Sequence, residues 1–222
     1  RLVDCPTCEL NRQTWYPSRI VVDFEGDMYI ANRAFGFQGS ISKIAGAESG
    51  CVDRNNNGAI ETSSDVNKDG IVDVNNAAEF KGQDDECLLY SLAVGVTDTY
   101  PRALTLDGKG HAYVGGFNEW TAYKLDITQS PPVLVEKIAL TSRPYGFALH
   151  GDYLYHSGLN VLPTSRFDLA TKVGKNMAVN GNYGMTIDSN GIGWYGEATG
   201  LARCDYDDPK NFCDVFPAGE KL

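Results

Sequence analysis

One line of residues recurs four times along the chain and leaves few folds open to it. Its copies are "YPSRIVVDFEGDMYIANR" (16–33), "YPRALTLDGKGHAYVGGF" (100–117), "RPYGFALHGDYLYHSGL" (143–159) and "NYGMTIDSNGIGWYGEA" (182–198). Each opens on Pro or a turn residue, runs through a short apolar strand to a Gly, Asp or Asn turn, and returns on a strand rich in Tyr, Val or Trp. A third stretch follows each copy ("GSISKIA", "WTAYKLDI", "TSRFDLAT", "GLARCDY"), and then a fourth ("CLLYSLAVG", "VLVEKIAL", "GKNMAVNG", "FCDVFPAG"). Alternation in "RIVVDF" and "DMYIAN" sends side chains to both faces of a sheet. The turns "FEGD", "DGKG", "HGD" and "DSNG" supply residues that tolerate positive φ, as tight hairpins need. Four short strands joined by turns, then repeated, is the pattern of propeller blades.

The spacing agrees. Pro101 and Pro144 lie 43 residues apart, Pro144 and Asn182 lie 38 apart, and Pro17 and Pro101 lie 47 apart once the 37 residues 51–87 are set aside. These fall near the roughly 40–50 residues of a blade. The chain is therefore expected to be all-β, a β-propeller of about four four-stranded antiparallel blades. They would span 17–99 (with an irregular insertion at 51–87), 100–142, 143–181 and 182–222. Residues 1–16 would supply outer strands of a preceding or ring-closing blade, so that the chain is either part of a larger ring or a small four-bladed one. A single blade cannot bury both faces, and stability has to come from stacking.

Charge is unevenly placed. The formal net charge is −10, and the segment from Cys51 to Cys87 carries −6 of it. Acid gathered in one segment points to a cation, and the absence of a basic stripe argues against nucleic acid. No apolar stretch reaches the length of a membrane span, and no signal peptide is visible; the chain begins at Arg1, as a processed chain or a piece of a longer one does. The six cysteines fall as three local pairs, Cys5/Cys8, Cys51/Cys87 and Cys204/Cys213. Local pairing without a nearby His favours disulfides, and with them a secreted, cell-surface or periplasmic protein. A zinc site using Cys5 and Cys8 with another pair is the alternative.

The recurring line resembles the blades of streptogramin-lyase-like and NHL-type propellers, which read roughly P-x-G-[IL]-A-[VL]-D-x-x-G-x-[VL]-[YW]-V-[AG]. Residues 100–115 match best, and His150 and Tyr195 stand where other residues are commoner. The resemblance implies a propeller scaffold but not an activity. The lyase relatives act through a histidine and a divalent metal on the central face, in a Glu-x-His pairing. Here the histidines are His111, His150 and His156, and none sits in Glu-x-His. On blade topology, His156, Asn32, Arg33, Asn118, Glu119 and Glu197 can reach the central face; a structural, hydrogen-bonded role is expected for His156, and solvent for His111 and His150. Trp15, Trp120 and Trp194 are read as packing between blades rather than as a carbohydrate or peptide surface.

Within the insertion, "DRNNNGAIE" (53–61) and "DVNKDGIVD" (65–73) repeat with a period of 12. Both read D-x-N-x-[ND]-G-x-[IV]-[ED], the first nine positions of an EF-hand-type calcium loop. The candidate ligands are Asp53, Asn55, Asn57, the Ala59 carbonyl and Glu61 in one loop. In the other they are Asp65, Asn67, Asp69, the Ile71 carbonyl, Asp73 and Asn76. Position 12, normally a bidentate Glu, is Ser64 and then Asn76. The short period leaves no room for flanking helices and resembles thrombospondin-type-3 repeats, in which Asp65 would serve both ions. The continuation "DVNNAAEF" is similar to half a dockerin. Oxygen-only ligands select a hard cation, so two weakly held Ca²⁺ ions, filled at extracellular concentrations, are expected. By blade topology both Cys51/Cys87 and Cys204/Cys213 clamp a third-to-fourth-strand connection, away from the central face. The expected function is a secreted calcium-binding propeller serving as a binding or assembly module for a protein or carbohydrate ligand, with self-assembly possible. The alternatives are a lyase-like enzyme with catalytic residues partly outside this chain, and a structural subunit of an extracellular polymer.

Overall fold

The structure is a computed structural model and describes residues 16–159, 162–179, 183–197 and 199–219. Among these described residues sixteen strands form four antiparallel sheets, each with its strands in chain order. Sheet one holds β1 (Pro17–Val22), β2 (Met28–Asn32), β3 (Gln38–Ile44) and β4 (Leu88–Thr97). Sheet two holds β5 (Pro101–Leu106), β6 (His111–Gly116), β7 (Thr121–Asp126) and β8 (Val133–Ala139). Sheet three holds β9 (Gly146–His150), β10 (Tyr153–Ser157), β11 (Thr164–Asp168) and β12 (Gly174–Met177). Sheet four holds β13 (Met185–Ile187), β14 (Gly193–Glu197), β15 (Gly200–Cys204) and β16 (Cys213–Pro217). This is the four-bladed, all-β, propeller-like arrangement that the repeat predicts.

The Asp that closes the first strand of three repeats has a local task. Asp23 Oδ1 accepts the N–H groups of Glu25 (3.1 Å) and Asp27 (2.8 Å). Asp107 Oδ1 accepts those of Lys109 (2.7 Å) and His111 (3.0 Å), and Asp188 Oδ1 those of Asn190 (2.9 Å) and Ile192 (3.0 Å). The side chain thus stands in for a backbone acceptor and fixes the hairpin. Sheet three lacks this Asp and turns through Gly151 at φ 57° instead.

The first strands line the centre, β1 packing on β5, β5 on β9 and β9 on β13. Three hydrophobic clusters fill the spaces between successive sheets. Period-two alternation is plain in sheet two: Leu104, Val114 and Tyr123 face sheet one, while Ala103, Tyr113 and Ala122 face sheet three. The second strand of each recurring line contributes one buried tyrosine, Tyr29, Tyr113, Tyr155 and Tyr195. Gly39 lets Pro101, which opens sheet two, come against sheet one, since a Cβ there would lie 2.2 Å from the proline ring. Among the described residues no such cluster joins sheet four to sheet one, and β1 leaves Ile20 and Val22 more than half exposed.

Alternating strand direction sorts the connections into two ends. The central-face end carries the β2–β3 and β6–β7 turns and the crossings from one sheet to the next. The other end carries the first-strand hairpins, the 51–87 insertion between β3 and β4, and the β15–β16 connection. Disulfides Cys51–Cys87 and Cys204–Cys213 close the last two. Cys5, Cys8 and Trp15 lie outside the described residues. The remaining tryptophans depart from the packing role: Trp120 is 41 % exposed, and Trp194 stacks on Phe216 of its own sheet at 6.4 Å.

Candidate metal centre

The insertion has no apolar core of its own. Val52, Val66, Ile71 and Val74 are each more than half exposed. Its order comes from polar contacts that repeat between the two loops. In the first, Asn57 N–H is shared by Asp53 Oδ1 (3.2 Å) and Asn55 Oδ1 (2.9 Å), and Gly58 N–H goes to Asp53 Oδ2 (2.8 Å). In the second, Asp69 N–H is shared by Asp65 Oδ1 (3.2 Å) and Asn67 Oδ1 (2.9 Å), and Gly70 N–H goes to Asp65 Oδ2 (2.7 Å). The fifth position follows suit, Asn57 Oδ1 accepting from Ala59 and Asp69 Oδ1 from Ile71, both at 2.9 Å. Positive φ recurs in register at Asn56 (58°) and Gly58 (85°), then Lys68 (62°) and Gly70 (89°). Two sequences with the same spacing have taken the same turn.

The outer positions differ. Glu61 joins its loop, its Oε2 accepting from Asn55 Nδ2 (2.7 Å). Asp73 Oδ1 instead accepts from the backbone and side-chain nitrogens of Asn75 (2.8 and 3.1 Å), and Asn76 Oδ1 accepts from Ala78 N–H (3.0 Å). Both oxygens of Asp65 accept from its own loop. Among the described residues no three His, Cys, Asp or Glu side chains stand together as a metal-holding group. The loops offer amide oxygens and main-chain carbonyls beside single carboxylates. Such an all-oxygen set fits a hard cation and not zinc.

Two acids that the loop pattern does not pick out close the insertion from beneath. Glu86 is 2 % exposed; its Oε1 accepts from the Arg54 (2.8 Å) and Asn55 (3.4 Å) N–H groups and its Oε2 from Glu61 N–H (2.9 Å). The Glu61 bond, more than the other two, holds its carboxyl below the usual range. Glu79, 1 % exposed, stands in the same relation to the second loop, its Oε2 accepting from Asp73 N–H (2.9 Å). Its Oε1 is buried with no hydrogen-bond partner among the described residues. Asp85 ties the loops together, accepting from Thr62 Oγ1, Ser63 N–H and Cys87 N–H. Burial raises its pKa, but these bonds outweigh it and the net direction is down. Nothing in the sequence singles out these three acids, because the contacts that give them a role arise only on folding.

The other candidates separate. His156 is fully buried, with Ser142 Oγ 3.5 Å from Nδ1 and no partner on Nε2. Burial lowers its pKa to about 3. It is therefore a neutral core side chain, more deeply buried than a hydrogen-bonded surface histidine. Glu119 bonds to Thr99, Tyr123 and the Val96 N–H. Asn32 bonds to Ser40 and Ser42 within sheet one. His111 is paired with Asp107 at 2.8 Å. The one histidine paired with a carboxylate among the described residues is His111, with Asp107 at the first-strand hairpin.

Four consecutive up-and-down sheets stacked about their first strands define the class: a β-propeller-type domain. Its structural neighbours are of that kind. A hydrazine synthase chain of Kuenenia stuttgartiensis superposes with TM-score 0.59 at 12 % identity, over 94 % of this chain and 51 % of that one. A virginiamycin B lyase of Staphylococcus aureus does so with TM-score 0.51 at 14 % identity, over 95 % and 72 %. The extracellular domain of a one-component system of B. thetaiotaomicron gives 0.53 at 13 % identity, over 96 % and 23 %. The chain thus spans about half the length of the hydrazine synthase chain and under a quarter of the last. At these identities the likeness is one of fold. No protein-family model and no curated protein matches the chain. No helix among the described residues is long and apolar enough to cross a membrane. The two disulfides are compatible with an extracellular or periplasmic location.

Proposed function

We propose that this propeller is a binding or assembly module that works outside the cytosol, and that residues 53–61 and 65–73 hold two Ca²⁺ ions which order its 51–87 insertion. The observation that carries the reading is the identical turn of the two loops, oxygen for oxygen and N–H for N–H. In each, backbone donors bond the first and third side-chain oxygens, and an oxygen with two lone pairs keeps acceptor capacity for a cation beside one such bond. The lack of an apolar core in the insertion supports the reading, because a segment this polar gains little from burial and needs another source of order. Glu79 Oε1, buried and without a hydrogen donor, is an oxygen available to the second ion. The ligands are the residues named from sequence, with Glu79 taking the place that Asn76 leaves open. Millimolar affinity matches a site rich in neutral Asn.

Calorimetric titration of the chain with Ca²⁺, paired with proteolysis in Ca²⁺ and in EGTA, tests the proposal. Two binding equivalents and protection of residues 51–87 by Ca²⁺ are expected. Identical cleavage in both buffers, with no binding heat up to about 10 mM Ca²⁺, overturns it.

A further inference from the structure

The opposite end of the sheets carries a group of arginines that the calcium reading does not use. Arg19 lies in β1, Arg33 just after β2, Arg102 in β5 and Arg143 just before β9, all at the central-face end. Shared aromatic rings bring them together. Arg19 lies over the Tyr145 ring at 4.8 Å, and Arg102 lies over the same ring at 4.8 Å and donates to its hydroxyl (2.6 Å). Phe117 has Arg102 at 5.5 Å and Arg143 at 5.3 Å. Arg33 stacks on Phe35 at 5.1 Å, and Phe35 meets Tyr100. Tyr183, 61 % exposed, packs on Tyr145 at 4.7 Å. Its hydroxyl sits below the usual phenol range, first through its bond to Tyr145 and then through the charges of Arg102, Arg19 and Arg33. Arg19 also donates to the Tyr183 carbonyl (3.4 Å), so Arg19 and Arg102 meet at the Tyr145–Tyr183 pair.

None of the four is in an ion pair among the described residues, although Lys43, Arg166, Lys172 and Arg203 all are. Of the acids at this end, Asp98 accepts from Gly36 N–H (2.6 Å) and Glu119 is held by Thr99, Tyr123 and Val96, while Glu197 ends β14 on the same side. The Nε atoms of Arg33, Arg102 and Arg143 are buried without a hydrogen-bond acceptor. Aromatic rings cover guanidinium faces but not their edges; Arg102 gives one edge N–H to Tyr145 and Arg19 gives N–H groups to the Ser18 and Tyr183 carbonyls, whereas the edges of Arg33 and Arg143 have no acceptor among the described residues. In a chain of net charge −10 with 29 acidic residues, four clustered arginines with no carboxylate in an ion pair among the described residues are conspicuous. Like charges held together are unfavourable until an anion joins them.

From this we infer that the central-face end is a binding site for an oxyanion-bearing ligand, a carboxylate, sulfate or phosphate group received by Arg33, Arg102 and Arg143, with Arg19 adding charge and Tyr145 and Tyr183 flanking it. Bidentate arginine bonds to such groups are short and strong. The inference is independent of calcium.

The test uses the full chain without calcium, titrated with sodium sulfate, sodium phosphate and succinate at fixed ionic strength against sodium chloride. At least one oxyanion is expected to bind and to raise the melting temperature above the chloride reference; the ranking of succinate against sulfate and phosphate tells carboxylate from sulfate or phosphate ligands. Arg143→Met and Arg33→Met should each weaken binding about tenfold, with melting in chloride unchanged or raised by relief of repulsion. Equal melting in all four salts overturns the inference, as does full-strength binding by both variants. Should a variant fold poorly, arginine modification by phenylglyoxal on the unaltered chain, mapped by mass spectrometry, decides. Saturating oxyanion should slow modification of Arg33, Arg102 and Arg143 relative to Arg54 and Arg203. Equal slowing at all five overturns the assignment.

Discussion

Glu79 and Glu86 are equally buried but differ in what their oxygens meet, and on the proposed reading that difference separates a structural acid from a ligand. Both oxygens of Glu86 are taken by backbone donors of the first loop. Glu86→Gln would set an amide N–H₂ against those donors and should loosen the insertion with or without Ca²⁺, read as faster proteolysis between Cys51 and Cys87. Glu79 has one oxygen with no donor. Glu79→Gln should therefore leave calcium-free proteolysis unchanged or slower, while weakening Ca²⁺ about ten- to hundredfold, as loss of a group at or beside a metal does. If both variants behave alike, Glu79 is no ligand. The carboxyls of Asp85 and Glu86 also set a pH dependence. Their folded pKa values lie below the ordinary 3.8 and 4.5. A lowered carboxylate pKa gives stability that is present above the ordinary value and lost as pH falls through the folded one. Amide exchange in residues 51–87 should therefore be flat from pH 7 to about 5, after correction for intrinsic rates, and lose protection below about 4.

Among the elements, the two disulfides close equivalent connections in sheets one and four but sit in different surroundings. Cys204 and Cys213 belong to the core between sheets three and four, at 0 % and 9 % exposure, whereas Cys51 and Cys87 are only half-buried. Chain entropy favours the longer closure, about 4 kcal/mol for Cys51–Cys87 against about 3 kcal/mol for Cys204–Cys213, at sequence separations of 36 and 9. Reduction follows access rather than that ranking. Under graded dithiothreitol, alkylation should appear first at Cys51 and Cys87, with the β circular-dichroism signal retained, and at Cys204 and Cys213 only as the sheets unfold. Simultaneous labelling of all four would show that the buried pair is not protected by sheet packing. In the core between sheets two and three, Leu154 is fully buried, and Leu154→Ala should cost about 2–5 kcal/mol in chemical denaturation. The strands and their order were legible because a period of two and a repeat near 40 residues are local properties of the chain. The matching turns of the two loops were legible for the same reason. Glu79 and Glu86 were not, because the contacts that give them a role join residues 6 to 32 positions apart. The arginine cluster was less legible still: only the stacking of sheets brings Arg19 to Tyr145, and composition alone, net acidic, pointed away from an anion.

At the scale of the whole molecule, the loops proposed to hold calcium and the arginine cluster lie at opposite ends of the sheets. A six-residue strand such as β5 spans about 20 Å, and charges that far apart are screened at physiological salt, where the Debye length is about 8 Å. At low salt it grows to about 30 Å and the two ends sense each other's field. Filling two calcium sites would change the formal net charge from −10 to −6, which eases the approach of an anion to the other end. Sulfate affinity at about 0.15 M salt should then be the same in 1 mM Ca²⁺ and in EGTA, and at about 0.01 M salt it should be tighter with Ca²⁺. Isothermal titration in the four conditions measures this. The sheets give no other route for coupling, since the insertion joins sheet one through the stems of β3 and β4 and no cluster of the core reaches it. A calcium effect on sulfate binding that persists at 0.15 M salt would mean that ordering the insertion shifts sheet one itself, and with it Arg19 and Arg33, making the two ends one switch rather than two separate sites.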